Sequence, residues 1–326
     1  NILVPENDTN EEYELREFLT NLLSLPSFIV KPIENILNNL PEKQMNYNLL
    51  PFPNSIGKKE NFDLIVSPGD FCGNKELGRL FFKYAYGKDK ELWEFIGKKR
   101  VKELERKNFL AGIKILGQLK QFGKPIIIAR GNWDPLDWQD IGFSKKRDFY
   151  TKRFDGFIKK NKINLIDFDN WKFNGINFIG YPRSTYPGFL DLNVKKRFIK
   201  RFGRKKALLK LNKINNDNRK YFDLFKKLLI FYEKNIFVSH NCPYNTKLDK
   251  IKKGSQKGKH YGSWLVKEII TKLKPKLVIC GHMHENQGMQ KIGKSLVINT
   301  GAAYEGKAAF IDINENLDRI VVNFIR

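Results

Sequence analysis

The chain has 326 residues, 41% of them apolar, enough for one large α/β domain with insertions or for two smaller ones. Its 60 Lys and Arg against 35 Asp and Glu give a net charge of +25, which favours polyanionic partners unless the lysines are simply spread over a solvated surface. Three cysteines without a Cys-x-x-Cys spacing argue against a zinc finger or disulfide scaffold and for a reducing, cytoplasmic compartment, and no apolar run is long enough for a membrane span.

Taken in order, Ile2-Leu3-Val4 reads as a strand, and apolar residues at 15, 18, 19, 22 and 23 predict an amphipathic helix from Glu11 to Leu23. Residues 25–60 carry prolines and asparagines with little periodicity and read as an irregular insertion, with one helix near Ile33 to Leu40. Phe62 to Val66 is a strand that runs into Ser67-Pro68-Gly69-Asp70-Phe71-Cys72-Gly73. Residues 75–120 read as helical, and Pro125 to Arg130 is a second buried strand ending in Gly131-Asn132-Trp133-Asp134. Ile163 to Phe168 and Phe173 to Tyr181 read as strands. A long basic helical insertion follows at about 190–234, then a strand from Asn235 to Ser239 that ends in His240-Asn241-Cys242-Pro243-Tyr244. A Lys/Gly-rich loop leads to His260-Tyr261-Gly262-Ser263 and a helix from Trp264 to about Leu273. The strand Leu277 to Cys280 enters Gly281-His282-Met283-His284-Glu285, and Ser295 to Asn299, Ala308 to Ile313 and Arg319 to Phe324 close the chain as strands. A single domain over residues 1–326 is the expected organisation.

Four strands thus each deliver a donor at the carboxyl end: Asp70, Asn132, His240, and the pair His282 and His284. Only four histidines are present in the chain, and two of them share one turn. An exposed turn with two histidines is the plain alternative for that pair. Carboxylate, amide oxygen and imidazole together suit manganese, iron, zinc or similar divalent ions such as nickel. Two such ions about 3.5–4 Å apart activate a water and neutralise a phosphoryl group during in-line displacement. Cys72, Cys242 and Cys280 each fall within two residues of one of these donors and read as small packing residues behind a tight site rather than as ligands.

The motifs Gly69-Asp70, Gly131-Asn132-Trp133-Asp134, His240 and Gly281-His282-Met283-His284, in that order and strand context, resemble the calcineurin-like metallophosphoesterase family. The wording around His240, His260 and His282 is most similar to its archaeal Icc-related branch, and the resemblance covers roughly residues 61–315. It implies an α/β fold, a four-layer sandwich of two mixed β-sheets flanked by helices, with a dinuclear metal site at the strand ends. By the same resemblance Asp70 bridges two divalent metal ions, Asn132, His240 and His282 hold one, and His284 helps hold the other.

Two departures from the family pattern matter. Trp133 occupies the position at which many members carry a histidine that protonates the leaving group, and an indole supplies no such proton. A phosphodiester with a good leaving group then fits better than a phosphomonoester. His260 is the remaining histidine and a candidate replacement acid, or else a structural residue of its loop, and Asp134 either orders hydrogen bonds behind the ligands or caps the turn. The second departure is that no Asp-x-His precedes Asp70. Asp8 with Asn10 is a degenerate version, Asp8-Thr9 is a helix cap, or the first strand precedes residue 1.

The sequence 195–206, like Lys145 through Lys160, interleaves cations with aromatics. Such a mixture grips phosphates while rings stack on bases, or it is an amphipathic helix whose Phe198 and Phe202 face a core. The expected function is a metal-dependent phosphoesterase, a phosphodiesterase using a metal-bridging hydroxide on a phosphate-ester substrate such as a nucleotide or nucleic acid. The alternative is a catalytically weak module of the same fold that binds nucleic acid or a protein partner.

Overall fold

Parallel strands buried on both faces need apolar residues on both, and the computed structural model shows how this chain supplies them. It describes residues 62–85, 90–135, 150–182, 192–230, 234–252 and 257–325, all within one compact unit, Leu50–Arg326. The expected strand at Ile2, the helix from Glu11, the insertion at 25–60, and Asp8 and Asn10 lie outside the described residues, as does Lys145-Lys146-Arg147.

The first described stretch runs β1 (Ile65–Ser67), α1 (Lys75–Leu80), a π-helical turn (Phe81–Ala85), α2 (Leu92–Ile96), α3 (Lys98–Lys120) and β2 (Ile126–Ile128). After it come α4 (Thr151–Lys160), β3 (Asn164–Leu165), β4 (Asn170–Phe173), β5 (Ile176–Tyr181), α5 (Leu192–Phe202), α6 (Arg204–Ile230) and β6 (Asn235–Ser239). The chain closes with α7 (Trp264–Leu273), β7 (Leu277–Cys280), β8 (Gly288–Ile292), β9 (Ser295–Asn299), β10 (Ala308–Ile313) and β11 (Ile320–Ile325).

The larger sheet has six strands in the order β4-β5-β6-β7-β9-β8. Its inner pairs are parallel, and β4 and β8 are antiparallel edges. A parallel sheet β1-β2-β3 and an antiparallel pair β10-β11 complete the described strands. The fold is therefore mixed α/β with several sheets flanked by helices. The smaller three-stranded sheet is purely parallel over these residues, so mixed pairing belongs to the larger sheet alone.

Strict alternation explains the layering. Ile176 and Phe178 of β5, Ile236 and Val238 of β6, Leu277 and Ile279 of β7 and Ile298 of β9 share one core with Ile127, Ala129 and Ile166. Residues of β10 and β11, among them Ile311, Val322 and Phe324, pack on that same core. The intervening residues Ile179, Tyr181, Phe237, Val278, Cys280 and Val297 form a second core under Phe225 and Leu229 of α6 and Leu265, Val266, Ile269 and Ile270 of α7. A period of two thus presents one set of side chains to the facing sheets and the other to the helices.

Several boundaries differ from the sequence expectation. The stretch expected as one strand from Phe173 to Tyr181 contains the turn of a hairpin, Asn174-Gly175 with φ of 46° and 75°, and only Ile176–Tyr181 forms its second strand. Positive φ at both turn residues is what a two-residue type I′ hairpin requires, so Asn-Gly was the signal for β4. Strand β8 was missed because its polar Gln290 and Lys291 break the apolar run, as suits an edge. The basic region splits at Gly203, where φ is 76°. There Phe198 packs with Ala207 and Leu211, and Phe202 lies against them, so these rings serve a helix-pair core. Lys195, Lys196, Lys200, Arg204, Lys205 and Lys206 stay exposed. Among the described residues no helix is long and apolar enough to cross a membrane.

Helix α3 buries Val101, Leu104, Phe109, Gly112, Ile113, Leu116 and Leu119, a stripe at helical spacing. A Cβ on Gly112 would fall 2.3 Å from Cys72 Sγ, so α3 presses directly on the turn that carries Asp70. Gly112→Ala should lower stability by about 1–3 kcal/mol through overpacking, read as a shift in the urea midpoint. It should also weaken divalent-metal uptake, because the Cys72 segment has to move.

Candidate metal centre

Turns at the carboxyl ends of β1, β2, β6 and β7 bring Asp70, Asn132, His240 and His282 together. The Nε2 of buried His240 lies 2.9 Å from Asn132 Oδ1, 3.1 Å from His282 Nδ1 and 3.3 Å from Asp70 Oδ2. Its Nδ1 lies 2.8 Å from the Pro68 carbonyl oxygen, to which it donates. That bond fixes the ring and the tautomer, leaving Nε2 to face the other three residues.

Three acceptor-capable atoms around one imidazole nitrogen exceed what a single N–H can satisfy. A cation accepts all of these lone pairs at once, and the ligand atoms of Asp70, His240 and His282 lie within 4.8 Å of one another. The donor set therefore fits a divalent ion of the borderline class. His284 stands beside this group, its Nδ1 2.9 Å from the Tyr304 hydroxyl. Tyr304 escaped the sequence reading because it follows no strand directly, and a short 3₁₀ turn (Ala303–Glu305) brings it back.

Backbone constraints explain the Gly-Asp and Gly-Asn pairs. Gly69 has φ of 99°, and a Cβ there would lie 2.2 Å from the Gly131 nitrogen. A Cβ on Gly131 would lie 2.1 Å from Asp70 Oδ1. The two turns approach so closely that neither tolerates a side chain. Asp70 and His282 themselves sit at φ of 61° and 65°, a region that costs a non-glycine residue free energy and persists where the surroundings enforce it.

Asp134 is the enforcing residue. Only 1% exposed, it accepts from the backbone N–H groups of Asp70 at 2.7 Å, Cys72 at 2.9 Å and Gly131 at 2.8 Å. Its carboxylate is consumed by these bonds, so it orders both turns rather than meeting a substrate. Trp133 adds a cross-tie, its backbone N–H donating to Asp70 Oδ1 at 2.9 Å. Arg130, immediately before Gly131, is clamped to Asp167 and reaches the Pro135 carbonyl and Asp155.

His260 has its Nδ1 2.7 Å from the carboxylate of fully buried Asp249. Asp249 also accepts from the backbone of Asn245, Thr246 and Gly262, so one buried carboxylate shapes the loop that presents His260. Asp249 was not foreseen. It sits in a Lys-rich stretch with no strand ahead of it.

Charge within the cluster is unevenly shared. Burial opposes ionisation of Asp70, but the charge and hydrogen bond of His240 outweigh it and hold the carboxyl below its ordinary range. Burial likewise disfavours a charged His240, and Asp70 reverses this, so His240 titrates above 6.5. His282 is pushed down to about 3, first by burial and then by the charge of His240. Burial also lowers His284. Asp134 is raised to about 6 by burial and the neighbouring Asp70 charge.

Comparison with known proteins bears on the family and the fold. A family model described as metallophosphoesterase, calcineurin superfamily, matches residues 219–320. The uncharacterized protein MJ1162 of Methanocaldococcus jannaschii is 28% identical over 198 residues, covering 60% of this chain and 79% of that one. A crystal structure superposes with a TM-score of 0.52 at 17% identity over 85% of this chain and 94% of its own, a likeness of fold. Phosphopantetheinyl hydrolase (PptH) of Mycobacterium tuberculosis aligns over 59% of this chain and 74% of its own at 10% identity, with a TM-score of 0.38.

Removing the Asp134 carboxylate leaves three backbone donors without their acceptor. Asp134→Ala should cost on the order of 3 kcal/mol or more, measured by urea denaturation, with metal uptake lost before the fold is. A second expectation concerns pH. The proton on His240 stabilises the metal-free fold fully below 6.5, and this contribution is lost as pH rises through the raised folded value. A cation competes with that proton for Nε2. The rise in Tm on adding Mn²⁺ should therefore grow between about pH 6 and pH 8, and calorimetric titration should register proton release on binding.

Proposed function

We propose that this chain, whose residues 219–320 match a family model of calcineurin-superfamily metallophosphoesterases, is a metal-dependent phosphoesterase acting on phosphodiesters. The observation that carries this reading is the convergence of Asp70, Asn132 and His282 on a single nitrogen of His240. On this reading Asp70, Asn132, His240 and His282 hold one divalent ion. Asp70 and His284 contribute to a second. Bound there, such ions supply Lewis acidity toward the phosphoryl oxygens and an activated water.

The chain's own residues do the rest. Asp134 and the Pro68 carbonyl hold Asp70 and His240 in register, so the site is organised before substrate arrives. Tyr304 orients the ring of His284. The backbone of Trp133 fixes Asp70, while its indole offers the leaving group no proton. This asymmetry supports a diester with a stable leaving group over a monoester. His260, its ring oriented by the contact of Nδ1 with Asp249, is the proposed proton donor for poorer leaving groups. Exposed cations along α5 and the start of α6 support a nucleotide or nucleic-acid substrate by charge alone.

The purified protein should bind about two divalent ions per chain and hydrolyse bis-p-nitrophenyl phosphate in a metal-dependent way. Asp70→Asn and His240→Ala should each lower kcat/KM by about 100-fold or more, with metal content falling in parallel. Turnover unchanged in both variants would end this reading. His260→Gln should slow esters of poor leaving groups more than the p-nitrophenyl ester.

A further inference from the structure

We infer that the exposed face of helix α6 is a binding surface for the phosphate backbone of a nucleic-acid duplex, working independently of the metal centre.

Positive charge is concentrated on this helix pair. Residues 192–230 hold 14 Lys and Arg against two acids, Asp217 and Asp223. They carry +12 of the net +25 on 39 of the 326 residues. Lysines scattered evenly over a solvated surface would not place nearly half of the excess on α5 and α6.

Within α6 the cations are also aligned. Lys206, Lys213, Lys220 and Lys227 recur every seven residues, and all four are exposed. Seven residues advance a helix by about 10.5 Å and leave the face only about 20° out of line. The four therefore form a nearly straight row about 32 Å long. Lys205, Arg219 and Lys226, each one residue earlier, make a second exposed column beside it, with exposed Asn212 in the remaining place. Among the described residues no carboxylate pairs with a lysine of the row. The exposed acid of the helix is Asp223, between Lys220 and Lys227.

The apolar residues of the pair identify the partner. Phe198, Ala207 and Leu211 form a core between the two helices, with Ile199, Phe202 and Ile214 against it. Further along, Tyr221, Phe222, Phe225, Leu228 and Leu229 pack on the core of the larger sheet. Of the described side chains on the pair, Leu209 is the one large apolar residue left exposed. A helix that enters a lipid surface needs an apolar face open to solvent, and this one has buried its own. Bases of a single strand need exposed rings on which to stack, and the rings here are packed into the two cores. A duplex needs neither. It presents one charge per about 1.7 Å of axis, and a row of cations binds it by releasing counterions. The row matches about nine base pairs at ~3.4 Å each.

Fluorescence anisotropy with a labelled duplex of roughly 20 base pairs, about twice the length of the row, tests this on the full chain in EDTA. The chelator removes metal, so failure here leaves the phosphoesterase reading intact, and failure of hydrolysis leaves the row intact. Log affinity should fall against log salt with a slope of about −4 or steeper. Lys213→Gln with Lys220→Gln should make the slope shallower by about two and weaken binding about tenfold or more. Lys213→Arg with Lys220→Arg should keep both at the wild-type value. Lys291→Gln with Lys294→Gln removes the same charge from exposed positions on the β8–β9 hairpin and should leave the slope unchanged. Equal losses in the two Gln pairs, or a wild-type slope shallower than about −2, would overturn the proposal. So would tighter binding to the single strand, or to phosphatidylserine vesicles, than to the duplex.

Discussion

Two turns that have no covalent reason to stay together are joined in this molecule by the carboxylate of Asp134. Turns leaving parallel neighbours β1 and β2 carry backbone N–H groups that no ladder satisfies, and buried donors without partners are expensive. Asp134 gathers those of Asp70, Cys72 and Gly131. The approach this demands is so close that residues 69 and 131 must be glycine. Asp70 is left in a left-handed conformation it would not choose. Ligand geometry on this side of the site is therefore a consequence of backbone satisfaction. The same bonds would exist if the pocket held nothing.

The opposite side is built differently. His240 and His282 leave adjacent strands β6 and β7, whose register pairs Ser239 with Cys280, so His240 comes one residue beyond the ladder and His282 two residues beyond it. His240 donates backward to Pro68 in the first turn, and that bond reaches from the larger sheet to the smaller one. The Cys242 and Cys280 thiols lie 3.3 Å apart behind the histidines, both fully buried. Burial and the neighbouring thiol push the Cys242 thiol well up, so it packs as a neutral group.

The sequence spoke most clearly where burial acts on both faces of a strand. Ile126–Ile128, Asn235–Ser239 and Leu277–Cys280 are short apolar runs, and their strand ends could be read directly, because a parallel core strand leaves little choice of residue. Edges were harder. Strands β4 and β8 mix polar and apolar residues, and only the Asn174-Gly175 turn announced the first of them. Donors such as Asp70 and His282 are legible because each follows a strand. Asp249 and Tyr304 are not, because their roles arise from loops that return to the site after several turns. Glycine signals were visible as turn residues, but the reason for Gly69 and Gly131 is a contact across 62 residues of chain, which no local pattern contains.

Electrostatics give the last link between the fold and its chemistry. The buried Asp70 carboxylate raises the pKa of His240 against the effect of burial, and the other ring, His282, is driven down to about 3 by burial and by the His240 charge. The cluster thus favours positive charge at the place where three lone pairs meet. A divalent ion offers twice the charge at the same point and satisfies every donor atom together, whereas the proton can satisfy one. The preference for a cation over a proton follows from the convergence itself, and it strengthens wherever pH is high enough to remove the competitor.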